Sequence, residues 1–126
     1  MVTTPQNLIP IYSSRGDLGA YLVYPHLYNA QGEWIGWVTP EREVYSVLGY
    51  YVGYLTNEPR ILRKRVLEKE KPRQSPPCHP EKVRPMATVP LARMMSELYH
   101  DTIDVLLEEP ERLHTVDTGE YREDLD

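Results

Sequence analysis

Two short groupings hold the side chains that could do covalent or metal chemistry. Cys78-His79 sets a thiol beside an imidazole, the pair from which a nucleophile and its base are made, while Glu97, His100, Asp101 and Asp104 gather potential ligands in one short stretch. Neither meets the full demand of that chemistry. Nucleophile and base must be held in hydrogen-bonding geometry, which neighbours in a proline-rich stretch rarely achieve. A structural zinc site takes four ligands at recognisable spacing, and His100 and Asp104, one helical turn apart, supply two. A polar helix face accounts for that quartet without an ion. The chain also has no phosphate-cradling glycine loop, no Gly-x-Ser-x-Gly elbow and no His-Glu-x-x-His. The reading is therefore a protein that is not an enzyme, with no catalytic residue, no metal site and no cofactor.

Binding chemistry is better represented. Arg60, Arg63, Lys64, Arg65, Lys69, Lys71 and Arg73 form a basic run, broken by Glu68 and Glu70, that could neutralise phosphates and so attach nucleic acid in a salt-dependent way. A solvated strand end beside an acidic C-terminus explains the run equally well. Residues 1–96 carry 12 Lys/Arg against 8 Asp/Glu, whereas 97–126 carry 2 against 11, and the chain is net −5. The absence of a dominant basic footprint makes a nucleic-acid adaptor using residues 60–73 the alternative reading. Ten of the twelve aromatic residues lie between Tyr12 and Tyr54, and there is no Phe. Tyr and Trp faces can stack on bases or sugars. Trp34, Tyr50 and Tyr51 depart most from the repeat described next. With Arg63, Lys64 and Arg65 they are the candidate surface for a partner.

The remaining aromatics are placed by an internal repeat. Ile11-Tyr12-Ser13-x-x-Gly16, Leu27-Tyr28-Asn29-x-x-Gly32 and Val44-Tyr45-Ser46-x-x-Gly49 are followed by Ala20-Tyr21-Leu22, Gly36-Trp37-Val38 and Gly53-Tyr54-Leu55. A period of 16 to 17 residues fits one two-stranded hairpin per repeat. Aliphatic-Tyr pairs suit strands, and Gly16, Gly32 and Gly49 mark turns that require positive φ. Tyr12, Tyr28, Tyr45 and Trp37 recur because each unit solves the same packing problem. Gly36 and Gly53 mark places where backbones approach closely. Prolines 25, 40 and 59 end each unit. A fourth unit starts at Ile61-Leu62 but lacks its glycine, so residues 2–9 are expected to supply the missing return strand and close the ring.

Beyond the repeat the pattern changes twice. Pro72, Pro76, Pro77, Pro80, Pro85 and Pro90 dictate an extended arm over 66–90. At polyproline spacing that arm reaches roughly 75 Å. Leu91, Met94, Met95, Leu98, Val105 and Leu106 then fall near helical spacing. They predict an amphipathic helical segment over 91–113, ahead of an acidic tail at 114–126. The fold class is mainly β with a C-terminal helix: a small closed β domain of repeated hairpins over 1–65, then the arm, then one or two helices. One cysteine excludes an intramolecular disulfide. No stretch reaches the roughly 20 apolar residues of a spanning helix, and the N-terminus has no leader pattern. A cytoplasmic protein without membrane attachment is expected.

The hairpin unit, clearest in Gly32-Glu33-Trp34-Ile35-Gly36-Trp37-Val38, resembles the four-fold β-flower domains of small bacterial proteins. More loosely it is similar to PRC-barrel-type adaptor modules. The resemblance covers about residues 8–65 and implies the fold without adding a catalytic residue. The expected function is a non-catalytic structural or protein-interaction module. Its first partner is itself, as a homodimer that exchanges its C-terminal arms, with another protein as a further possibility.

Overall fold

The computed structural model describes residues 7–66 and 71–116. Seven strands follow one another through the repeat region: β1 (Ile9–Tyr12), β2 (Leu18–Val23), β3 (His26–Tyr28), β4 (Trp34–Val38), β5 (Glu43–Ser46), β6 (Tyr51–Leu55) and β7 (Ile61–Lys64). The eighth, β8 (Thr102–Asp104), runs into a four-residue helix α1 (Val105–Glu108) and a 3-10 turn at Pro110–Arg112. All eight form one antiparallel meander in chain order.

The repeat is visible in the register. Ile11 faces Ala20, Leu27 faces Gly36 and Val44 faces Gly53. One residue later each ladder slips, so that Tyr12 faces Leu18, Tyr28 faces Trp34 and Tyr45 faces Tyr51. The extra residues are Gly19, Ile35 and Val52. Three identical bulges bend three hairpins the same way and add twist, which curls the sheet around its own inner face. Ile11, Leu27, Val44 and Ile61 hold the same place in the four units, and none exposes any surface. They join Ala20, Leu22, Val38, Leu55 and Val105 in one core.

Local chemistry fixes the turns. Gly16, Gly32 and Gly49 have φ of 88°, 84° and 89°, a region where a side chain on Cα is strained. The polar residue after each tyrosine supplies the acceptor. Ser13 Oγ takes the Arg15 N–H at 3.2 Å, Asn29 Oδ1 takes those of Gln31 and Glu33 at 3.0 and 2.9 Å, and Ser46 Oγ takes that of Tyr50 at 3.2 Å.

Two expectations about the second half of the chain are corrected. The fourth return strand is Thr102–Asp104, which pairs Leu62 with Asp104 and Lys64 with Thr102. Of residues 2–9, expected there, Ile9 belongs to β1 instead, and residues 2–6 lie outside the described residues. An unpaired β7 edge demands a partner, and β-branched Thr102 and Ile103 suit a strand. The helical segment expected over 91–113 is likewise reduced to α1 and one 3-10 turn, with neither helix nor strand over 91–99. Val105 and Leu106 do reach the core, but the earlier part of the stripe is turned outward, with Leu91 95% and Met94 100% exposed. The acidic tail lies outside the described residues from 117 onward.

The proline-rich arm is extended and takes a specific path. Gln74 N–H donates to Gly49 O and Val83 N–H to Gly32 O, both at 2.9 Å. Ala92 lies beside Gly16, its Cβ 3.8 Å from where a Cβ on that glycine would be. The arm thus visits the hairpin tips in reverse order, nine residues apart, before β8 completes the fourth unit. Tyr12 Oη donates to Pro90 O at 2.6 Å, and Tyr21 Oη accepts the Met86 N–H at 3.2 Å. Val83 and Met86 cover an outer cluster of Tyr21, Tyr28, Trp34 and Val47. Both sheet faces are therefore buried, the inner by its own curl and the outer by the arm.

Candidate functional site

The first and fourth hairpins meet at a polar clasp. Tyr12 N–H donates to Pro59 O at 3.2 Å, and beside this bond lies Arg60, whose side chain is almost wholly buried. Its Nε donates to Glu58 Oε1 at 2.9 Å, its Nη1 to Ser14 Oγ at 2.9 Å and its Nη2 to Ser96 O at 3.0 Å; Nη2 also pairs with Glu58 Oε1. Ser14 N and Oγ both donate to Asp104 Oδ2 at 2.6 Å. Ser96 N and Oγ donate to Glu58 Oε2 at 2.9 Å. The Ser96 N–H and the Arg60 guanidinium hold the Glu58 carboxyl below its usual range. A buried guanidinium bonded through all three nitrogens in this way fastens hairpin one, hairpin four and the arm together. Among the described residues the hydrogen-bond partners of Ser14 and Ser96 are Asp104, Arg60 and Glu58 rather than an imidazole. The clasp floors a cleft of about 590 Å³ whose other wall is residues 92–98.

The residues singled out from the sequence are dispersed rather than gathered. Trp34, expected on a partner surface, is 4% exposed, buried in the outer cluster with Tyr28 and Val83 and with the ring of His79 edge-on against it, 5.0 Å between centroids. Its departure from the repeat serves the arm. Tyr51 is half-buried with Lys71 Nζ 5.7 Å from its ring centre, and Tyr50, though exposed, sits under the Arg73 guanidinium at 5.3 Å. Arg63 pairs with Glu109 at 2.5 Å, Lys64 with Asp101 at 3.1 Å and Arg65 with Glu108 at 3.6 Å. The cations of β7 and the residue after it are thus matched by carboxylates around β8 and α1. The repeat residues Tyr12, Tyr28, Tyr45, Gly36 and Gly53 are buried in the framework, with Trp37 half-buried and stacked on Tyr45 at 4.9 Å.

Cys78 is exposed, and His79 Nδ1 lies 2.6 Å from Pro80 O. Among the described residues no three His, Cys, Asp or Glu side chains converge as metal ligands. Among the same residues no helix is long and apolar enough to cross a membrane.

Two features appear only in the folded chain. The first is the strip Leu91–Tyr99 on the arm, where Leu91, Met94 and Tyr99 are all largely exposed. Its less exposed members, Ala92, Met95 and Leu98, recur every third residue, the repeat of an extended polyproline-like path. The second is an axial pocket of about 540 Å³ at the end of the ring away from the hairpin tips. Leu22, Val38 and Leu55, equivalent in three repeats, line it together with Ile9, Tyr24 and the loop residues Thr39, Arg42 and Thr56. The repeat alignment marks the three aliphatic positions as equivalent, but that they converge on one cavity depends on the curl.

Comparison with known proteins agrees with this geometry. A family model described as 4-fold beta flower protein matches residues 9–100. No curated protein and no solved structure matches the chain. The family match covers the first seven strands and the whole arm: the chain belongs to the 4-fold beta flower family.

Proposed function

We propose that this chain is a non-catalytic interaction module that self-associates as a homodimer through the exposed strip Leu91–Tyr99. The observation that carries the reading is the exposure of Leu91, Met94 and Tyr99 on one extended stretch. Large apolar side chains left exposed along one short segment are candidates for an interaction site. A second copy is the occupant because the strip is self-complementary. With a three-residue repeat, Leu91, Met94 and Glu97 form one ridge, and Arg93, Ser96 and Tyr99 the next. Two strips related by a two-fold axis at Met95 run antiparallel, which sets Leu91 against the partner's Tyr99 and Arg93 against the partner's Glu97, twice over. Arg93 and Glu97 have no ion-pair partner among the described residues. The docking of each arm on hairpin tips of its own chain supports a face-to-face dimer over one that exchanges arms. A reducing cytoplasm suits the exposed Cys78 thiol.

Sedimentation velocity on the full chain tests this. The native chain is expected to be a dimer, Arg93→Glu and Glu97→Arg each a monomer, and the double charge swap a dimer again. A monomeric native chain, or a swap that does not restore association, would remove the proposal. Salt-sensitive nucleic-acid binding by a monomer would instead favour the adaptor reading of residues 60–73.

A further inference from the structure

We infer that the axial pocket is a binding site for a small amphiphilic carboxylate, an apolar chain or ring bearing one acid group. The wall is aliphatic: Leu22, Val38 and Leu55 present the same side of the core from three hairpins, and Ile9 adds a fourth aliphatic group at the rim. The pocket is a half-open hollow, and concave apolar surface with a few placed polar groups is the usual make-up of a small-molecule site. Among the residues lining it, Arg42 alone is charged, so the polar end of a matching ligand is an anion.

The setting of Arg42 supports that assignment. Its φ is 68°, and no other described non-glycine residue has positive φ. A side chain in that region costs energy that glycine would not, and such positions concentrate where a residue must be aimed. The strained loop is held from both directions. Leu55 N–H donates to Arg42 O at 2.9 Å, while Arg42 Nε donates to Leu55 O at 2.9 Å and Nη2 to Thr56 O at 3.0 Å. These bonds use one edge of the guanidinium. Arg42 is solvent-exposed, and both Nη1 hydrogens and the second Nη2 hydrogen are left open to the rim, without a partner among the described residues. That free edge is the fork that takes a carboxylate through two parallel hydrogen bonds. Thr39 and Thr56 add hydroxyl-bearing side chains to the same rim. A carboxylate on Arg42 leaves the apolar body of the ligand facing Leu22, Val38 and Leu55.

The probe is octanoate, below its micellar concentration, titrated into the full chain by calorimetry and by methyl NMR. One-to-one saturable binding is expected at millimolar or lower concentration, with shifts centred on the methyls of Leu22, Val38 and Leu55. Octanol, which keeps the chain and lacks the charge, is expected to bind at least tenfold more weakly. Arg42→Gly keeps a backbone that accepts φ of 68° and removes the fork; octanoate affinity should fall at least tenfold while the fold, followed by circular dichroism, persists. Ile9→Trp, at a position 48% exposed, should fill the pocket and abolish binding. The proposal is overturned if the native chain does not take up octanoate, if octanol binds as well as octanoate, or if a folded Arg42→Gly binds octanoate like the native chain. The octanol comparison needs no variant, so it decides the matter even where a substitution unfolds the loop.

Discussion

Replacing Gly36 tests the claim that the hairpins are packed backbone against side chain around one axis. A Cβ built on Gly36 would come within 3.0 Å of the Tyr45 carbonyl oxygen on β5, and would lie 2.9 Å from Leu113 Cδ2, which occupies the core beside it. The carbonyl belongs to a paired strand and cannot turn away. Relief requires β5 to shift, and overpacking of this kind costs about 1–3 kcal/mol. The unfolded-chain entropy lost on replacing glycine with alanine offsets about 0.4–1 kcal/mol of that. Gly36→Ala should therefore destabilise by about 1–2 kcal/mol, and Gly36→Val by roughly 3 kcal/mol, because a branched side chain also drives Leu113 out. At about 3–6 °C per kcal/mol for a domain of this size, the alanine variant should melt about 3–12 °C lower. The control is Gly19→Ala. Its Cβ would also be close to a neighbour, 2.6 Å from Leu106 Cδ1, but that atom is the far end of a half-buried side chain that can rotate. A change within about 0.5 kcal/mol is expected there. Thermal melts followed by tryptophan fluorescence measure both. Equal stability of Gly36→Ala and the native chain, or a larger loss for Gly19→Ala, would refute the reasoning by placing the rigid wall on α1 rather than on β5.

Alanine at the three turn glycines should separate conformational strain from arm docking. Each adds a side chain at positive φ, but at Gly32 and Gly49 the Cβ would also overlap the Val83 and Gln74 carbonyl oxygens, whereas at Gly16 it meets only Ala92. Limited proteolysis should then find the arm opened in Gly32→Ala and Gly49→Ala and still protected in Gly16→Ala; equal cleavage of all three would mean the tips do not hold it. Acid should undo the clasp. Glu58 is held below its ordinary value by the Ser96 N–H and by Arg60, so its stabilising contribution is present at neutral pH and disappears as pH falls below the ordinary carboxylate value of about 4.3 and through the folded-state value. Burial pushes Glu109 up, yet Arg63 and Arg112 more than offset it, and its contribution has the same sign. Urea midpoints measured from pH 7 to pH 3 should fall more steeply for the native chain than for Glu58→Gln; parallel curves would assign the acid loss elsewhere.

What the sequence determined by itself is the hairpin unit. A Tyr-polar-x-x-Gly turn is closed by atoms within five residues of one another, as the Asn29 and Ser46 bonds are, so residue type and spacing carry the whole instruction. The aliphatic residue before each tyrosine follows from the same period, and Ile61 could be placed with Ile11, Leu27 and Val44 although its glycine is missing. Tertiary structure decided everything that depends on which unit meets which. Thr102–Asp104 looked helical because spacing records only that apolar residues recur; β7 supplied an edge that made a strand the better partner. Gln74 and Val83 dock through backbone N–H groups, which every residue except proline possesses, so no side chain announces them. Arg60 read as one cation in a basic run until the curl buried it between hairpins one and four. Leu22, Val38 and Leu55 line one pocket for the same reason. Bulges repeated three times curl the ribbon until hairpins one and four meet, and residues far apart in the chain become neighbours through an angle that no local pattern encodes.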